Sequence, residues 1–174
     1  MAQLVIIANF IFFLAGICSI LSTQGKNKKQ IVFIEFLGSI LRIIGNILVK
    51  SWSDAIAKII KSVTQFLSLG DKLNKKIFYI VSLLYTILCI CITYFSSDLR
   101  CLIAIIPSIM EFYSLLVRST KKYRSYIIIT KIFWTINNIV FQLYIGIIFD
   151  IIVIIGHLLK LKKKNNKYKY KNKI

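Results

Sequence analysis

The 174-residue sequence predicts an all-α fold, a polytopic membrane bundle of seven transmembrane helices. Three observations predict it. The chain is 57% hydrophobic and only 17% charged, with mean hydropathy +0.75, whereas a soluble domain is about a quarter charged. Its apolar residues are gathered into runs of the roughly 20 residues that a helix needs to cross a bilayer. Those runs lack the period-two alternation of a transmembrane barrel, and the charges sit between them. One proline and seven glycines leave the helices mostly uninterrupted. The basic excess, formal net charge +18, lies beside apolar segments, where membrane topology accounts for it and a nucleic-acid partner is not expected.

The candidate spans are 2–22, 30–50, 51–69, 77–97, 99–117, 125–143 and 144–161. The first, within "MAQLVIIANFIFFLAGICSILS", has neither a basic n-region nor a small-residue cleavage site, so it reads as a retained helix rather than a signal peptide. The third is the weak one, because it carries Asp54, Lys58 and Lys61. Charge placement argues for its crossing. With seven spans and the N-terminus outside, one face receives Lys26, Lys28, Lys29, Lys72, Lys75 and Lys76, then Arg118, Lys121, Lys122, Arg124 and the C-terminal lysines. The other receives only Lys50 and Arg100, as the positive-inside rule asks. The tail 162–174 has many like charges and no apolar face, which predicts a disordered cytoplasmic segment that meets anionic head groups or simply anchors the topology.

A second regularity is independent of charge sign. Displacing the sequence by 96 residues lays Glu35 on Lys131, Ser39 on Thr135, Arg42 on Asn138, Asn46 on Gln142, Asp54 on Asp150 and Lys61 on His157. This predicts a three-helix unit used twice, 2–69 and 99–161, with the helix 77–97 as the odd linker that keeps both units parallel. Parallel repeats of this kind occur among transporters.

Ionisable groups inside a bilayer are expensive, so they normally face protein or water. Glu35, Ser39, Arg42 and Asn46 are spaced i, i+4, i+7 and i+11, which is one helical face. Asp54, Lys58, Lys61 and Gln65 repeat the spacing, and so do Lys131, Thr135, Asn138 and Gln142. Three such stripes predict a shared interior surface. Asp150 and His157 are seven apart, roughly 10 Å along the axis, so Asp150 must find a partner on another helix. Arg42, Lys58, Lys131 and a protonated His157 are the available cations.

Two readings follow. Either the charged residues near span ends snorkel to the interface and the central ones pair to lock helices together, a reading that fits Lys58, Lys61 and Lys131, or the central polar residues Trp134, Asn138, Asp150, Asn46 and Glu111 line a cavity for a small polar solute. Trp134 lies near mid-span and can stack on a ligand or simply pack. Pro107, the only proline, is a candidate hinge in the fifth span, since proline there frees a backbone carbonyl. His157, near the cytoplasmic end of the last span, is expected at the interface as a proton-responsive group. Cys89 and Cys91 are two apart on a helix and cannot pair. One histidine and four cysteines give no zinc spacing, so neither metal nor cofactor is expected. No Ser-His-Asp order or nucleotide loop appears, and enzymatic activity is not expected.

Residues 105–162 resemble the YgjV-type family of bacterial inner-membrane proteins. Pro107, the basic loop ending in Arg124, and "WTINNIVFQLYIGIIFD" carry the resemblance, with Trp134, Asn138 and Asp150 matching its Trp, Asn and acid. The first half matches through Lys28, Lys29, Gly45, Lys58 and Lys61, the last two being commonly Asn and Arg in the family. The seven-span, two-repeat plan is in turn similar to the SWEET and PQ-loop group of small-solute transporters. That group carries a proline in the first helix of each repeat, where this chain has Pro107 in one and Ile11 in the other. The resemblance implies a cytoplasmic-membrane protein and a small-solute transporter, with a homodimer as one assembly; the rival is a non-transporting scaffold whose polar stripes merely hold helices together.

Overall fold

The computed structural model describes residues 2–49, 52–96, 100–140 and 144–171. Among them are seven helices and no strand: α1 (Ala2–Ser22), α2 (Lys28–Leu48), α3 (Trp52–Leu69), α4 (Lys75–Ser96), α5 (Arg100–Leu116), α6 (Thr120–Val140) and α7 (Tyr144–Lys171). Each predicted span thus corresponds to a helix, the weak third segment included. Short connections between antiparallel neighbours bring the loops after α1, α3 and α5 to one end, together with the C-terminal lysines.

The helix starts there are capped. Asn27 Oδ1 accepts from Gln30 N at 2.9 Å, and Gln30 Oε1 accepts from Lys26 N at 2.8 Å, so side chains satisfy donors that the first turn of α2 leaves open. Asn74 does the same for α4, accepting from Ile77 N at 2.9 Å. After α3 the chain reverses at Asp71, whose φ of 56° is left-handed, a conformation that aspartate tolerates better than most residues. Its carboxylate pairs with Lys29 at 2.5 Å, and that hydrogen bond holds it below the usual carboxylate range.

By length and composition, Lys28–Leu48, Lys75–Phe95 and Tyr144–Lys163 are long and apolar enough to cross a membrane, with shorter apolar stretches at Ile6–Ser22 and Leu102–Leu116. α3 and α6 fall outside this set because they carry the charges that face the interior. The outer surface is apolar instead. Ile6 and Phe10 on α1, Leu83 and Ile87 on α4, and Ile148 and Ile155 on α7 are all exposed, as a lipid-facing surface requires. α7 continues to Lys171, past the expected end at 161 and into the stretch expected to be disordered. Neither glycine nor proline follows Gly156, and lysine is a good helix former.

α1 packs closely on α2 because both present small residues. Ala8, Ala15, Ser19 and Ser22 are buried on α1, opposite Gly38, Ser39 and Gly45 on α2. A Cβ at Gly45 would sit 2.6 Å from the Phe12 ring, so the approach needs glycine. Between α1 and α7 the same role falls to Gly16, where a Cβ would lie 2.5 Å from the Phe149 ring.

Two apolar clusters complete the core. Ile31, Val32, Leu115, Tyr123, Ile127 and Val153 join α2, α5, α6 and α7 in the basic half of the bundle. Phe78, Tyr85, Cys89 and Phe112 attach α4 to α5, with Tyr85 and Phe112 edge-on at 5.5 Å and Ser108 Oγ donating to Tyr85 Oη at 3.0 Å. Cys89 is buried and Cys91 exposed, on different sides of α4, as their spacing predicts. Cys101 and Gln142 lie outside the residues whose side chains are described.

His157 corrects the sequence reading. It is 0% exposed, enclosed by protein rather than open to solvent at the end of the span. Arg124 Nη1 donates to Thr23 O at 2.9 Å and lies 2.9 Å from His157 Nδ1, and Nη2 donates to Gly25 O. A guanidinium has only donors, so Nδ1 accepts and the ring proton is on Nε2. One arginine on α6 therefore ties the α1–α2 loop to α7. The loop carbonyls that follow α1 need a buried donor, and His157 completes the set.

Candidate functional site

A cavity of about 650 Å³ lies among α1, α2, α3, α5, α6 and α7. It reaches from Asn138 and Tyr144, at the end opposite the basic loops, to Lys61, Glu111 and Lys131 near mid-helix. That volume is within the 300–1,000 Å³ typical of small-molecule sites. Below it, toward the basic end, Ser39 Oγ donates to Gln65 Oε1 at 3.0 Å and Ser22 Oγ to Glu35 Oε1 at 3.3 Å. This buried polar layer and the Ile31–Val153 cluster form its floor.

Only part of each stripe lines this space, and Lys58, Lys61 and Lys131 face it rather than snorkelling to the interface, because polar side chains at helical spacing turn away from lipid. Arg42 comes from α2, Lys58 and Lys61 from α3. α5 supplies Glu111, α6 supplies Lys131, Trp134 and Asn138, and α7 supplies Asp150. Of the five residues expected to line a solute cavity, Trp134, Asn138, Asp150 and Glu111 do so. Asn46 does not. It is buried on α2 but lies outside the lining. Pro107 is buried in α5, four residues before Glu111, and is also outside the lining, so any hinge action there would be indirect.

Two ion pairs organise the walls. Lys61 Nζ is 2.5 Å from Glu111 Oε1, with the side chains 8% and 12% exposed, and joins α3 to α5. Lys131 Nζ is 2.7 Å from Asp150 Oδ1 and joins α6 to α7. Asn138 Nδ2 donates to the other oxygen, Asp150 Oδ2, at 2.8 Å. Asp150 thus takes Lys131 from the four cations available to it, and both its oxygens are satisfied. Gly146 makes room for this arrangement, since a Cβ there would be 2.8 Å from Asn138 Nδ2.

Trp134 is partly covered. Lys58 Nζ lies 4.8 Å from its ring centroid, a cation–π contact that occupies one face of the indole. On α6 the fully inward face also carries Thr130 and Asn137, which the stripe argument missed. Sequence reasoning likewise missed Asn9, Phe12, Phe13 and Phe149 in the walls. The glycines at 16, 45 and 146 were the available signal, each marking a place where a large side chain from the next helix comes close. Among the described residues no group of His, Cys, Asp and Glu is placed to hold a metal ion.

Apolar outer faces around a charged interior define a helical integral membrane protein. The chain belongs to the Imp-YgjV family, described as bacterial inner membrane protein, whose model matches residues 6–167. No curated protein and no solved structure matches it.

Proposed function

We propose that the chain is a multi-pass small-solute transporter of SWEET-like architecture, with α1 to α3 and α5 to α7 as two parallel units and α4 as linker. The observation that carries this reading is the charged cavity itself, large enough for a solute and floored on one side. The order of helix neighbours supports the two-unit plan. α2 lies between α1 and α3 as α6 lies between α5 and α7, and across the units α1 meets α7 while α3 meets α5. Each unit's first helix therefore touches the other's third, as a two-fold relation requires. The lysine-rich end is assigned to the cytoplasm, which puts the N-terminus outside and turns the cavity toward the outer face. Pro107, beside the α4–α5 contact, is the place where α5 bends as access alternates.

A non-transporting scaffold is the second reading, and the ion pairs favour it, because they would lock α3 to α5 and α6 to α7 with no solute at all. The two are separated by one position. In a chain whose native cysteines are replaced by serine, Asn9→Cys places a thiol in the cavity wall. For a transporter, a membrane-impermeant thiol reagent should modify it rapidly from the outer face and more slowly from the cytoplasmic face. Modification from one face alone would leave a fixed vestibule and support the scaffold. Rapid modification from the cytoplasmic face would reverse the assigned orientation.

A further inference from the structure

The charge facing the cavity does not balance. Its two carboxylates are already engaged, Glu111 by Lys61 at 2.5 Å and Asp150 by Lys131 at 2.7 Å. Arg42 and Lys58 face the same space. Among the described residues, neither has a carboxylate oxygen within 4.0 Å. Arg42 Nη2 donates at 2.9 Å to Ser19 Oγ, a neutral group. Lys58 rests on the Trp134 ring at 4.8 Å, which attracts its charge but accepts no strong hydrogen bond.

The other nearby carboxylates do not close the gap. Glu35 is buried in the floor with Ser22 on its oxygen and attracts Arg42 from a distance. Asp54, a turn from Lys58, attracts that lysine, but neither acid comes within ion-pair distance of these cations. Neither lines the cavity. Unbalanced cations within a membrane-spanning bundle are costly and normally meet water, an opposite charge or a ligand. Here they meet a space rather than a partner.

We infer that the cavity takes an anion bearing a carboxylate or phosphate, with Arg42 and Lys58 as its counter-charges. The planar fork of Arg42 matches either group in a two-bond geometry, and Lys58 adds a point charge. Phe12, Phe13 and Phe149 supply an apolar wall for the rest of the molecule. This inference rests on reading the cavity as a solute site. Its chemistry is shared by a free organic anion and by the head group of an anionic phospholipid.

The test is a thermal-shift titration of the purified full chain in neutral detergent at constant ionic strength. The probes are succinate, inorganic phosphate, glucose, choline, and phosphatidylglycerol in mixed micelles. Succinate or phosphate should raise the melting temperature, with glucose and choline inert. A shift with phosphatidylglycerol alone would assign the same site to a head group. Arg42→Gln and Lys58→Gln should each weaken that binding roughly ten- to a hundredfold, the effect of losing a charged hydrogen bond. The wild-type comparison stands even if a variant fails to fold.

Shifts with glucose or choline but no anion would overturn the anion inference and leave the solute site intact. Anion shifts unchanged in both variants would also overturn it, by placing the anion elsewhere. No shift with any probe would count against both the inference and the transporter reading.

Discussion

Arg124→Ala is expected to be among the most destabilising single substitutions in the chain, lowering unfolding free energy by about 3–5 kcal/mol, because it leaves three buried acceptors without their donor. The change strips donors from Thr23 O, Gly25 O and His157 Nδ1 at once, all in a buried environment. Each orphaned group costs about 1–3 kcal/mol, and relaxation of the loop recovers part of that sum. Arg124→Lys should rescue little, because one ammonium cannot reproduce the fork that reaches two carbonyls and a ring nitrogen. Denaturation by SDS titration in mixed micelles is the measurement. An Arg124→Ala protein as stable as wild type would show that the α1–α2 loop is held by something else.

The second large effect concerns Lys61 and Glu111. Removing either partner should destabilise by about 3–5 kcal/mol, whereas replacing both by apolar residues of similar volume, Lys61→Met with Glu111→Leu, should be close to neutral. The two single changes should also differ. Without Lys61, Glu111 still has Lys58 and Lys131 as neighbouring cations. Without Glu111, Lys61 joins three other cations lining the same space. Glu111→Leu is therefore expected to cost more than Lys61→Met. The coupling energy from the double-mutant cycle checks this, since residues in one ion pair depart from additivity by about 0.5–3 kcal/mol. Additive effects, or a worse double mutant, would contradict the pairing.

The second prediction concerns residues whose inward placement was legible in the sequence and whose partners were not. The cost of polarity in lipid makes a stripe such as Glu35, Ser39, Arg42 and Asn46 readable, because helical spacing alone says that one face collects the expensive groups. It does not say which helix lies opposite. Lys61 meets Glu111 because α3 neighbours α5, and that adjacency depends on how six connections fold. Asp150 needed a partner on another helix, but choosing Lys131 over Arg42 or Lys58 required knowing that α7 packs on α6.

His157 was misplaced for a different reason. Its position along α7 suggested the interface, but depth along a helix says nothing about which side is enclosed. Arg124, read only as a loop charge, proved to be the group that encloses it. The aromatic walls were least legible. In a chain this rich in Phe and Ile, a glycine such as Gly16 marks a close approach but does not say that Phe149 makes it while Ile148 is exposed.

The central claim is that polar side chains of the spanning helices converge on a solvated interior rather than on lipid or on a dry seam. A cysteine scan along α6 in oriented vesicles, with the native cysteines replaced, tests it most directly. Cysteines at Lys131, Trp134 and Asn138 should react with a membrane-impermeant thiol reagent, and those at Ile132, Ile136 and Ile139 should not. Uniform protection at all six positions, or reaction confined to the isoleucine face, would contradict the account.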